Sequence, residues 1–190
     1  LPDALRLIPD AAAQVLRRPT GILGTVHCAQ WSYRDRLLLI GDAAHAMTPF
    51  HGQGMNCAFE DCHELDRLLA QEGSWADAFA LFERERLPNA RAIAQISLEN
   101  YLEMRDTVRD AQFQLHKALS LELERRFPGR FVPRYSMVTF HPEISYASAL
   151  ERGRVQAELL RELTRDADSL EEVDFAAAER LIEARLPPIG

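Results

Sequence analysis

The sequence predicts an α+β chain in which helix dominates, and three observations carry that reading. Residues 75–127 keep apolar positions at helical spacing almost without interruption. The first β-type runs are short and lie ahead of residue 41. A glycine-bearing loop over residues 41–56 joins the two regimes.

Taken in order, Ala4, Leu5, Ile8, Ala11, Val15 and Leu16 recur at helical spacing, and Pro9 divides them into two short helices. Pro19-Thr20-Gly21 is a break. Ile22 to Trp31 reads as a strand with Ile22, Val26 and Cys28 on one side of the pleat. Tyr33 to Arg36 is a polar turn. Leu37 to Ile40 is a fully apolar strand of the kind buried on both faces. After the loop, Met55, Ala58, Phe59, Cys62, Leu65, Leu68 and Leu69 keep a helical rhythm up to Gly73. Pro88 interrupts the next helical stretch and can begin a new helix at its first turn. Residues 128–142, with three prolines and the β-rich run Tyr135 to Phe140, read as an extended connection. Helices follow at Ser145 to Arg165 and Ser169 to Arg185, and Pro187-Pro188 closes the fold.

Composition narrows the function. Of 190 residues 47% are apolar and 27% charged, the balance of a globular protein. A net charge of -7, with no basic cluster, argues against nucleic acid or an anionic membrane surface as partner. No apolar run approaches the ~18 residues needed to span a bilayer. Cys28, Cys57 and Cys62 form no disulfide framework and read as reduced thiols of a cytoplasmic protein. The chain opens at Leu1 without an initiator Met or a targeting segment, as a piece cut from a longer protein would.

The chemistry concentrates in the loop. Gly41 at a strand end permits a sharp exit and close approach of a ligand. The Asp42 carboxylate would project from the strand's carboxyl end, where open α/β sheets bind ligands. An ionised carboxylate only accepts hydrogen bonds, so a row of hydroxyls such as a ribityl or ribose chain suits it. Gly52-Gln53-Gly54-Met55-Asn56 opens the next helix, whose free N–H groups favour negative charge by about 0.3–1 kcal/mol, and up to ~2 kcal/mol when partly buried. Gly52-x-Gly54 lacks the third glycine and the acidic residue of a dinucleotide fingerprint, so that reading fails.

Gly41-Asp42-Ala43-Ala44-His45, then Pro49-x-x-Gly52-Gln53-Gly54-x-Asn56 and Glu60-Asp61, resembles the second flavin motif of the single-component FAD-dependent aromatic hydroxylases. The resemblance implies that Asp42 binds the ribityl chain and that the Pro49–Asn56 loop wraps the isoalloxazine ring. Gly41, Asp42, Pro49, Gly52, Gln53, Gly54, Met55 and Asn56 are the cofactor-binding candidates. It divides the chain into 1–34, the end of a substrate-sheet domain; 35–73, the carboxy-terminal piece of an FAD-binding domain; and 74–190, a helical carboxy-terminal region. The fold expected is an α+β fragment, a remnant of the FAD and substrate sheet followed by helices.

Further matches at residues 49–56, Leu98-Glu99-Asn100-Tyr101-x-Glu103-Met104 and Arg130 to Phe140 look like the kynurenine-hydroxylating branch of that family, bacterial type. That resemblance implies that NADPH reduces FAD, that oxygen adds to form a flavin C4a-hydroperoxide, and that L-kynurenine is hydroxylated at the 3 position, in tryptophan degradation and NAD biosynthesis. Asn100 and Tyr135 match positions holding the substrate carboxylate, and Phe50 and His51 the loop facing ring and flavin. Met104, four residues beyond Asn100, shares its helical face. Taken alone, Asn100 could bond a neighbouring backbone, Tyr135 could be a core aromatic, and Met104 could simply pack. No residue is assigned a catalytic acid–base role; His51 is the weakest such candidate.

The family's first flavin motif and the cationic anchor for the substrate carboxylate do not occur in these residues. The isolated chain is therefore expected to be inactive and to associate with itself through an unpaired sheet edge. No metal is expected: Cys57, Cys62, His45 and His63 match no common zinc spacing. Two other readings are a related hydroxylase of another aromatic, such as a phenol or benzoate, and a non-catalytic helical interaction module.

Overall fold

The computed structural model describes residues 2–189, so Leu1 of the expected first domain lies outside it. Helices α1 (Pro2–Leu7) and α2 (Ala11–Arg17) form on either side of Pro9, as the spacing predicts. They contribute little to the core: Leu7 and Leu16 remain exposed.

The expected strand over Ile22 to Trp31 does not form. A strand needs a ladder, and this segment makes three scattered backbone bonds: Val26 N–H to Ala46 O at 2.7 Å, Cys28 N–H to Ala44 O at 3.4 Å and, at its end, Leu39 N–H to Trp31 O at 2.8 Å. Ile22 is 97% exposed, so the supposed inward face of the pleat is not inward. The chain becomes anchored at Trp31, buried and donating from its indole N–H to Cys28 O. Beyond it, β1 (Ser32–Tyr33) and β2 (Leu37–Leu38) form a short antiparallel hairpin pairing Ser32 with Leu38 and Tyr33 with Leu37. The apolar run 37–40 is thus not a strand buried on both faces. Leu37 is half exposed, and two paired residues on one side give the run no second layer.

A single turn, α3 (Asp42–His45), follows Gly41, and α4 (Gly54–Gln71) begins inside the glycine loop. Helix α5 (Trp75–Leu102) starts at Ser74, whose hydroxyl accepts the Asp77 N–H. It runs 28 residues straight through Pro88 instead of restarting there. Proline deletes one rung of the ladder. The buried stripe Phe79, Phe82, Ala90, Ile93 and Ile96, on both sides of that rung, holds the helix together.

After α5 the backbone widens into a π-turn over Glu103–Thr107, where sequence reasoning expected continuous helix. Helix α6 (Ala111–Arg126) is capped by Asp110. The β-rich run Tyr135 to Phe140 is helical, forming α7 (Arg134–Phe140). Pro133 supplies a fixed entry at φ -52°, and Met137 and Val138 bury on one helical face. Tertiary burial overrides the β propensity of that run. Helices α8 (Tyr146–Leu163) and α9 (Phe175–Arg185) begin at the caps Ser145 and Asp174.

Gly153 lets α8 lie against α7; a Cβ there would meet the Arg134 side chain at 2.7 Å. Two apolar clusters result. One gathers Trp31, Cys57, Leu68, Phe82, Ile93, Met137 and Leu150, and so joins all three segments of the chain. The other packs Leu119, Leu123, Phe131, Leu159 and Ile182. Each large side chain fully removed from water contributes about 1.5–3 kcal/mol. Among the described residues, no helix is long and apolar enough to cross a membrane.

Candidate functional site

Gly41 leaves β2 at φ 56°, ψ -140°, a conformation open to glycine, and a Cβ on it would meet Ala58 Cβ at 3.3 Å. The exit is therefore pressed against α4 at Ala58, one turn in from its start. Asp42 comes next, with its carboxylate exposed and no hydrogen-bond partner among the described residues.

Helix α4 begins without a side-chain cap, unlike α5, α6, α8 and α9. Gln53 is buried, but its side chain accepts from Asn56 Nδ2 at 2.8 Å rather than from the backbone. The first helical N–H to find a backbone acceptor is that of Cys57, on Gln53 O at 2.9 Å. The leading N–H groups of an 18-residue helix are thus open to an anionic group. Gly52, at φ 74°, turns the chain into that helix with no atom crowding the position of a Cβ. Met55 is 67% exposed, and Pro49 is exposed as well. A carboxylate with nothing to accept from and a helix start with nothing to donate to lie on neighbouring elements. That donor and acceptor set fits the hydroxyl chain and electron-rich ring edge of a flavin. A cleft of about 800 Å³ borders it, lined by Gln53, Asn56, Glu60, Arg86 and Tyr146 among others.

The expected substrate group also comes together. Asn100 Nδ2 donates to Phe50 O at 2.6 Å and stands 3.9 Å from Met104 Sδ. The bond is not to a neighbouring backbone group of its own helix but to the glycine loop, 50 positions away. The second amide N–H has only that sulfur, a weak acceptor, beside it. Phe50 stacks on Tyr101 with ring centroids 4.5 Å apart, and His51 on Tyr135 at 5.2 Å. Tyr135 is 57% exposed, so it is not a core aromatic. Met104 lies in the π-turn beyond α5 and is exposed, which keeps it beside Asn100 without burying it. Burial pushes the His51 imidazole below its ordinary pKa against a backbone hydrogen bond that raises it, and Arg134 lowers it further.

What sequence reasoning missed is the layer beneath the loop. Asp61 is fully buried. Its Oδ2 accepts from Gly41 N–H at 3.0 Å and from His45 Nε2 at 2.6 Å, and its Oδ1 from Arg86 Nε at 2.8 Å. Burial alone would raise this carboxyl; the bonds from His45, Gly41 and Arg86 outweigh it and hold the pKa below the usual range. Because Asp61 is the acceptor, Nε2 of His45 carries the proton. Trp31 closes the ring side of His45 at 5.1 Å. The signal was present in the sequence. Asp61 and Arg86 are lone charges on apolar stripes, between Cys57 and Leu68 on α4 and between Phe82 and Ala90 on α5. Charges so placed pair with one another.

His45, Cys57 and Asp61 offer ligand atoms within 4.8 Å of one another, whereas Cys62 and His63 are exposed and stand apart. The Arg86 guanidinium already supplies the positive charge at that cluster. Burial pushes the Cys57 thiol up to about 12 despite Arg86 beside it.

Comparison with known proteins agrees with this geometry. Residues 21–97 match the family model described as FAD binding domain. The chain is 54% identical over 185 residues to kynurenine 3-monooxygenase of Stenotrophomonas maltophilia (strain K279a), covering 97% of this chain and 40% of that protein. It is 50% identical over 188 residues to the protein of that name from Xanthomonas campestris pv. campestris (strain B100), and 51% identical over 188 residues to that from Xanthomonas oryzae pv. oryzae (strain PXO99A). Each of these covers 99% of this chain and 41% of the relative. The chain thus spans about two fifths of the length of the curated relatives it matches. It is homologous, along nearly its whole length, to part of the kynurenine 3-monooxygenases, and its residues 21–97 carry an FAD binding domain match.

Proposed function

We propose that these residues act within a longer FAD-dependent, NADPH-using monooxygenase that hydroxylates L-kynurenine with molecular oxygen to 3-hydroxykynurenine. The observation that carries this reading is the free Asp42 carboxylate on α3 followed by the uncapped start of α4, in a chain about half identical to proteins named for that reaction. Bound there, FAD would supply the electron and oxygen transfer. This chain's residues would bind and orient. Asp42 would accept from the ribityl hydroxyls, Gly41 would allow the close approach, and Pro49 would border the ring. The backbone from Gly52 through Gln53, Gly54, Met55 and Asn56 would stabilise negative charge at the ring edge. Asn100, with its second N–H, and Tyr135 would hold the substrate carboxylate. Phe50, His51 and Met104 would wall the ring and exclude water.

Residues 1–34 and 35–73 would complete a substrate sheet and an FAD domain supplied by the rest of the polypeptide, with 74–190 as the helical buttress. Three unpaired cysteines suit a reducing, cytoplasmic setting. The first flavin motif would come from outside these residues, so the isolated 190-residue chain should purify colourless and inactive. Its exposed apolar residues, such as Ile22 and Leu16, should promote self-association. A visible spectrum and light scattering of the isolated chain test this, and stoichiometric flavin absorbance would refute it. For the full-length protein, hydroxylation of L-kynurenine is the expected result. Turnover of a phenol or benzoate, with none of L-kynurenine, would move the assignment to another branch.

A further inference from the structure

We propose that Asp61 is a positioning residue of the flavin site, fixing the Gly41 peptide and through it the aim of Asp42. The inference rests on the reading of Asp42 as the ribityl acceptor. Asp61 is 0% exposed, so it touches no ligand itself. Its three partners belong to three different pieces of the site, none of them α4. The carboxylate rises from α4, takes the N–H of Gly41 at the strand exit, takes His45 at the end of α3, and takes Arg86 from α5. Arg86 is in turn held by Cys57 O at 3.2 Å and Glu60 Oε2 at 3.1 Å.

Why keep a charge there? Removing a carboxylate and a guanidinium from water costs several kcal/mol per ion, and apolar residues of equal size often serve stability as well or better. What an apolar replacement could not do is orient a backbone N–H. Gly41 sits at positive φ, where glycine has alternatives open to it, and the bond to Asp61 Oδ2 selects one of them. Asp42 is the next residue, so a turn of that peptide swings its carboxylate directly. His45, at the far end of the same single turn, is held by the same oxygen, so both ends of Gly41–His45 are pinned to one atom.

The test is a double-mutant cycle in the full-length protein, read by the FAD dissociation constant from flavin fluorescence quenching. Asp42→Ala, Asp61→Asn and the double variant are compared, with circular dichroism to establish folding. Asp61→Asn puts an amide donor against either Gly41 and His45 or Arg86, and FAD affinity should fall about tenfold. In the Asp42→Ala background the same change should have almost no further effect, because the carboxylate it aims is gone. Equal losses in both backgrounds, which a merely structural role would give, overturn the proposal, as does unchanged affinity in Asp61→Asn. Should Asp61→Asn not fold, His45→Gln keeps the Asp61–Arg86 pair and loosens one end of the turn. It must then show a smaller loss with the same non-additivity; unchanged affinity or additive loss overturns the proposal equally. Unchanged affinity in Asp42→Ala alone is a separate outcome: it removes the ribityl reading on which the proposal stands.

Discussion

The side-chain amide of Asn100 reaches the Phe50 carbonyl at 2.6 Å. One turn earlier on α5, Ser97 donates to Thr48 O at 2.5 Å, so two residues of the helix strap alternate carbonyls of the glycine loop. The strap separates two effects that a single substitution would mix. Asn100→Ala should loosen the loop and remove a carboxylate donor, raising the apparent KM for L-kynurenine about tenfold. Ser97→Ala loosens the same loop without touching the substrate. Steady-state kinetics of the two full-length variants should therefore show a KM effect that Asn100→Ala has and Ser97→Ala lacks.

Acid should act through Asp61. Its folded pKa is depressed, so its contribution to stability is complete above the unfolded carboxyl value of about 3.9 and is lost as pH falls through the folded value. Urea midpoints of wild type and Asp61→Asn should converge as pH drops below about 4, with wild type the more stable at neutral pH. A constant gap across that range would show that protonation of Asp61 is not linked to unfolding.

Gly153→Ala probes the α7–α8 contact. The new methyl would meet Arg134 Cδ at 2.7 Å and Cγ at 3.1 Å. Arg134 would have to move, and with it its pairs with Glu99 and with Glu103, the latter at 3.1 Å. A loss of about 1–3 kcal/mol is expected in thermal or denaturant unfolding. An unchanged midpoint would mean that the arginine relaxes freely.

Thiol chemistry should separate the cysteines. Cys62 is exposed; Cys57 is buried, with its thiol pushed up to about 12. Iodoacetamide at pH 8, followed by peptide mass mapping, should label Cys62 and spare Cys57 until the protein unfolds.

The glycine loop and α4 were legible because their signals are local: a motif of fixed spacing, then an apolar stripe at helical period. Ser145 likewise announced α8, whereas the helix expected from Ser169 begins only after Asp174, behind a short 3-10 turn at Leu170–Glu172. The run Ile22 to Trp31 was not legible, since a strand is defined by partners elsewhere in the chain, and here it finds only scattered bonds to Ala46, Ala44 and Leu39 among the described residues. Tyr135 to Phe140 misled for the opposite reason: burial of Met137 and Val138 decided a segment whose residues favour strand. Pro88 misled because packing on both sides of it carries the helix across one missing bond. In the candidate site, the motif singled out Asp42 and Asn56, while Asp61 passed as part of the pattern with no role. Its function depends on Arg86, 25 positions away.

The uninterrupted passage of α5 through Pro88 makes that helix a ruler. Arg86 grips the layer under the strand exit and Asn100 grips the loop, and the 14 residue steps from one to the other span about 21 Å at 1.5 Å each. Inserting or deleting one residue in that interval would rotate one grip about 100° relative to the other. The spacing of the proposed cofactor end and the proposed substrate end is in this way written into the length of a single rod, where point substitutions can weaken either grip but only a change of length can put the two out of phase.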